Sequence, residues 1–277
     1  MEETMNLASH LSGQEYGPGK ASRRKFLHLL AVKFGFIALL GQGVAATAAE
    51  VKVMAGAVMP GTIGELGPQF ERATGHTIVI QYGPGLSFKR QIEAGEAFDL
   101  VIIGSDVVDD LIKQGKIAGD TRADIVRVGI GVAVREGAPK PDISSVDAFK
   151  NTLLNVKSIT YAPEGAPGRH LAKVFDRLGI AEQVKAKIKP NPVNRVPQVV
   201  TDGEVELAIH PTPSLVSAKG VQLVGLLPAE LQDWFVNTAG VSTTAKQPDA
   251  ARALIRHLTT PEAAAVIKAN GMESPGR

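Results

Sequence analysis

From residue 50 onward the hydrophobic pattern switches repeatedly between two periods. Short β-rich runs at Val51–Ala55, Thr77–Tyr82, Leu100–Ile103, Val126–Val134, Ser158–Tyr161, Val205–Ile209, Val221–Val224 and Phe235–Val241 read as strands, and amphipathic segments of helical length lie between them. In Thr62–Ala73 the residues Ile63, Leu66, Phe70 and Ala73 recur at helical spacing, with Gly75 as a stop and Pro68 as an expected kink. Ser105 before "DVVDDLIKQG", Ser144 with Asp147 before "AFKNTLL", and Thr260-Pro261 before the last apolar helix are expected helix starts. Alternation of strand and helix predicts an α/β fold with sheets covered by helices.

The segment before residue 50 has a different character. Ser22-Arg23-Arg24-Lys25-Phe26-Leu27 matches the twin-arginine export pattern, an apolar run from Leu29 to Leu40 follows, and Ala46-Thr47-Ala48 forms a small-x-small cleavage site. The run is short and carries Lys33, so no stable membrane span is expected after cleavage. Residues 1–49 are therefore expected to be an N-terminal extension and signal peptide, with export to the periplasm. The whole chain carries 30 basic and 28 acidic residues; residues 1–49 hold five and three of these, which leaves 25 against 25. A balanced surface argues against a nucleic-acid partner. The absence of Cys excludes disulfides, thiolate metal sites and Cys nucleophiles.

Chain punctuation suggests two lobes. "GIGVAVREGAPKPDISS" and "LLPAELQDWFVNTAG" read as crossings, which assigns residues 50–128 and 237–277 to lobe 1 and residues 129–236 to lobe 2. Open α/β sheets bind ligands outside the carboxyl ends of their strands, so two such lobes would enclose one cleft. The turns at those ends supply the candidates. In the first lobe these are Ala57, Val58 and Met59 after the first strand, and Gly83 and Gly85 after the second, with Arg90 in the helix that follows. Backbone N–H groups at such helix starts favour an anion. In the second lobe they are Tyr161 at a strand end, the Gly/Pro loop through Gly168, Arg169 as a bidentate carboxylate clamp, Arg195 near a helix start, and His210 at the end of Val205–Ile209. Lys89, Asp99, Asp106 and Glu164 read as solvated or capping groups.

The stretch from "VKVMAGAVMPGTIGELGPQFERATGHTIVIQYGPGLSF" through "QIEAGEAFDLVI" to "AARALIRHLTTPEAAAVIKANG" resembles the periplasmic molybdate-binding proteins of ABC transporters, and the resemblance covers the chain from residue 50 to its end. It implies a two-lobed binding protein with no cofactor or metal, a small anionic ligand and an ABC permease as partner. Molybdate- and tungstate-binding members place Ser or Thr hydroxyls after the first and second strands. Here those places read Ala55-Gly56-Ala57-Val58-Met59 and Gly83-Pro84-Gly85-Leu86, with Thr62 and Ser87 further on, which points to a carboxylate rather than molybdate. The family includes periplasmic aconitate isomerase, which this chain also resembles through "GVAVREGAPKPDISSVDAFKNTL". That implies the alternative of an enzyme, with the three arginines as clamps and His210 or His170 as proton carrier. Iron capture would call for several Tyr ligands, and after residue 49 only Tyr82 and Tyr161 occur.

Overall fold

The computed structural model describes residues 48–275 apart from 164 and 190–194; the export segment and Glu164 therefore lie outside the described residues. Two sheets form the two lobes. The first has five strands in the order β2-β1-β3-β9-β4: β1 (Glu50–Gly56), β2 (Thr77–Gly83), β3 (Leu100–Gly104), β4 (Ala123–Val128) and β9 (Phe235–Val241). The second has four in the order β6-β7-β5-β8: β5 (Ile130–Arg135), β6 (Ile159–Thr160), β7 (Leu207–Pro211) and β8 (Val221–Leu226). In the first sheet β1 runs parallel to β2 and β3, while β9 runs antiparallel to β3 and β4.

Both faces of each sheet are covered, and strand alternation sorts the residues between them. In β3, Leu100 and Ile102 join the core under α1 (Pro60–Thr74), α9 (Pro248–Leu258) and α10 (Pro261–Ala269). Val101 and Ile103 face α2 (Gly85–Glu93) and α3 (Ser105–Lys113) on the other side. In the second lobe Ile130, Val132, Leu207 and Ile209 pack with α4 (Val146–Asn155), α5 (Gly165–Arg177) and α6 (Ala181–Lys185). Ala133 and Ala208 face α7 (Val196–Thr201) and α8 (Thr212–Val216).

The expected strand Val126–Val134 is in fact two strands in two sheets, parted at Gly129. A continuous apolar run carries no mark of a sheet change. The mark is steric: a Cβ on Gly129 would stand 2.4 Å from the side-chain amide of Gln232 and 2.8 Å from Leu226 Cδ2, in the returning chain. That return enters the first sheet already at Phe235, opposite Val128, rather than at 237. Helix α1 continues through Pro68 as one element, ending at Gly75 with φ 74°. Thr260 caps α10 through Ala263 N at 3.2 Å, whereas the cap of α4 is Ser145 rather than Ser144, and Ser105 lies inside α3 without capping it.

Asp99 ties the first lobe together. It is 3% exposed, its Oδ2 accepts from Lys52 N at 2.9 Å, and its Oδ1 accepts from Lys246 N at 2.7 Å and Gln247 N at 2.9 Å, where α9 begins. Replacing Asp99 with Ala strands three backbone donors, so the variant should lose about 3 kcal/mol of stability, read as a lower midpoint in urea unfolding. An unchanged midpoint would refute that role.

Candidate functional site

The carboxyl ends of the central strands meet at a cavity of about 470 Å³ between the lobes. From the first lobe its walls are the turns before α1 (Gly56, Ala57, Val58), before α2 (Gly83, Pro84, Gly85) and before α3 (Ile103, Gly104), with Asn237 of β9. From the second lobe they are Ala162, Pro167, Gly168 and Leu171 around the start of α5, and Ile209, His210, Pro211 and Ser214 between β7 and α8.

No side chain caps α1, α2 or α3, in contrast to α4 and α10, whose caps are Ser145 and Thr260. A helix start leaves its first N–H groups without intrahelical partners. The turns that lead into α1, α2 and α3 line the cavity, so the positive ends of these helix dipoles lie at its wall. The small residues of the turns let a ligand approach the backbone. Gly168 shows how close this packing is: a Cβ there would stand 2.3 Å from Ala162 O and 2.4 Å from the Pro163 carbonyl.

His210 is the titratable side chain of the described wall. It is 5% exposed, and neither ring nitrogen has a hydrogen-bond partner among the described residues. Burial lowers its pKa from the ordinary 6.5 to about 4, so the imidazole is neutral at pH 7 and its basic nitrogen is available.

The remaining candidates are placed elsewhere. Met59 is fully buried in the first-lobe core instead of walling the cavity. Tyr161 packs edge-on against Phe175, with ring centroids 5.7 Å apart, and Ala162 takes the place in the wall. Burial raises the pKa of the Tyr161 hydroxyl. Arg90, Arg169 and Arg195 are exposed and outside the described lining, because long charged side chains near these helix starts turn to water. His170 is a structural tie, its Nε2 lying 2.7 Å from Leu231 O and its Nδ1 3.6 Å from Asp233 Oδ2. Of the two downstream hydroxyl residues, Thr62 is buried in α1 with Oγ1 lacking a partner among the described residues, and neither it nor Ser87 is in the wall. Lys89 bridges to Asp110 of α3 at 2.5 Å. Ala57, Val58, Gly83, Gly85, Gly168 and His210 do line the cavity. Gly104 carries the same strand-to-helix signal in the sequence as the other turns, whereas Asn237 arrives from a strand far along the chain and has no local signal.

The model of bacterial extracellular solute-binding proteins matches residues 51–273. The chain belongs to that family. It is 33% identical to an aconitate isomerase from a Pseudomonas species, over 77% of this chain and 83% of the relative. Among solved structures, the periplasmic molybdate-binding protein of Azotobacter vinelandii aligns with a TM-score of 0.64 at 22% identity, covering 82% of this chain and 100% of that one. The sulfate-binding protein of Mycobacterium tuberculosis H37Rv aligns with a TM-score of 0.63 at 20% identity, covering 82% and 87%. This solute-binding protein thus shares its two-lobed α/β fold with these binding proteins. Among its described residues no helix is long and apolar enough to cross a membrane.

His210 couples this cavity to pH. Between pH 6.5 and about 4 the unfolded chain takes up a proton on this imidazole that the folded chain refuses, so stability should fall as the pH drops through that window and level off below it. The full contribution is about 3 kcal/mol. Urea unfolding from about pH 3.5 to about 7.5, which brackets the two pKa values, should show a shallower pH dependence for His210→Asn; parallel profiles would refute the burial of a neutral imidazole.

Proposed function

We propose that this solute-binding protein holds a small carboxylate in the cleft between its lobes and delivers it to an ABC permease from the periplasm, which it reaches by the twin-arginine route. The observation that carries the ligand class is the convergence of three uncapped helix starts, joined by the start of α5, on a wall whose described residues hold one hydroxyl, that of Ser214. A carboxylate presents two oxygens to such backbone donors. A tetrahedral oxyanion presents four, and each one buried without a partner costs about 1–3 kcal/mol. The twin-arginine pattern and the likeness to a periplasmic binding protein support the location.

The test is a thermal-shift series with propionate, trans-aconitate and molybdate. Saturating carboxylate should raise the Tm through preferential binding to the folded state, by about 2.7 kcal/mol of stabilisation at a hundredfold excess over Kd. Stabilisation by molybdate alone would overturn the carboxylate reading.

A second reading, an isomerase that moves the double bond of a tricarboxylate, is supported by the 33% identical aconitate isomerase and by His210. A neutral imidazole beside a held carboxylate is suited to take a proton from one carbon and return it to another, while the helix N–H groups stabilise the charge that builds on the carboxylate between the two transfers. Proton NMR of the protein with excess trans-aconitate should then show cis-aconitate accumulating beyond the protein concentration, and His210→Asn should stop it while the thermal shift persists. Binding without turnover would leave the receptor reading and remove the isomerase.

A further inference from the structure

The cleft continues beyond the first cavity. A second cavity of about 420 Å³ shares Val58, Gly104, Pro167, Pro211 and Asn237 with the first, and reaches toward the crossings through Val128 and the Trp234–Val236 stretch. Together the two chambers are far larger than a simple oxyanion and approach the size of pockets that hold substantial organic ligands.

Their chemistry differs. The first chamber has no charged side chain in its described wall, and in the second the charged residue is Asp106. A Cβ on Gly104 would stand 2.9 Å from Asp106 Oδ1, and one on Gly56 would stand 3.0 Å from Asn237 Oδ1. Gly104 and Asn237 belong to both chambers, whereas Asp106, an exposed residue beside Gly104, lines the second alone. Neither carboxylate oxygen of Asp106 has a hydrogen-bond or ion-pair partner among the described residues. The second chamber also holds Trp234, the single tryptophan of the chain. The Arg127 guanidinium, 4.3 Å from the ring centroid, and its ion pair with Glu273 hold the indole in place.

We propose that the second chamber takes the hydroxylated tail of the ligand, so that the substrate class is a polyhydroxy monocarboxylic acid. This rests on the carboxylate reading: the carboxylate lies against the helix starts of the first chamber, hydroxyls donate to Asp106 and Asn237, and the carbon chain lies along Trp234. The alternatives fit less well. An alkyl tail would desolvate Asp106 without giving it a donor. A second carboxylate would meet like charge. An ammonium tail would sit at the positive end of α3, whose dipole already offsets the charge of Asp106.

The test uses the full chain and the emission of Trp234. D-gluconate, hexanoate and 6-aminohexanoate, which share one carbon-chain length, are titrated alongside propionate as the probe of the first chamber. Gluconate should perturb the emission and bind at least about tenfold more tightly than hexanoate, as expected for hydrogen bonds to a charged acceptor. In Asp106→Ala that advantage should disappear, with gluconate falling to the level of hexanoate. Equal affinities of gluconate and hexanoate, tighter binding of 6-aminohexanoate, or a gluconate advantage that survives Asp106→Ala would each overturn the proposal while propionate binding keeps the carboxylate reading intact. If neither propionate nor any of the longer acids binds, the carboxylate reading fails and takes this inference with it.

Discussion

The arrangement of this protein depends on a close crossing of two chain segments between its sheets. Gly129 connects β4 to β5 without a helix or loop, and its carbonyl accepts from both Thr212 N at 3.1 Å and Thr212 Oγ1 at 3.2 Å. The returning segment is fastened beside it, Leu227 N donating to Ile130 O at 3.0 Å and Phe235 pairing with Val128. Side chains of α5 hold the stretch between: His170 at Leu231 O, and Arg177 Nη1 donating to Glu230 O at 3.0 Å. The two sheets are thereby joined at their carboxyl ends, where their helices begin. A side chain at Gly129 would displace the side-chain ends of Gln232 and Leu226, which already fill the space a Cβ needs.

From that junction the character of the cleft follows. Helices α1, α2 and α3 follow turns in the wall and start at Met59, Pro84 and Gly104 without side-chain caps, so polar recognition falls to the backbone. Away from the cleft, α4 and α10 are capped by Ser145 and Thr260, and Asp99 holds the backbone just before α9, whereas α6 and α7 have no side-chain cap. The difference is one of function as much as of stability: a cap that satisfied α1 would occupy the donors a ligand needs. His210 adds the one basic group of the described wall, held neutral because its pocket offers no charge to pair with and little water.

Much of the fold was legible because it rests on local periodicity and punctuation. The strands from Val51, Thr77, Leu100 and Phe235, the stop at Gly75 and the start at Thr260 are all present. The cap at Ser145 instead of Ser144 shows the usual limit, since adjacent serines look alike until φ and ψ choose between them. The arginine candidates show a different limit. A basic residue near a helix start is a plausible clamp in one dimension, but its side-chain direction depends on which face of the helix meets the other lobe.

The sequence by itself determined the alternation of strand and helix, the hydroxyl-poor turns and the position of His210 at a strand end, because each is a property of a short window. Only the tertiary structure decided that Val126–Val134 divides between two sheets, that Met59 and Tyr161 turn into cores, and that Gly104 and Asn237 stand together at the cleft. Those outcomes depend on contacts between segments far apart in the chain. Steric exclusion at Gly129 and the choice of which strand face is buried have no counterpart in local hydrophobic period.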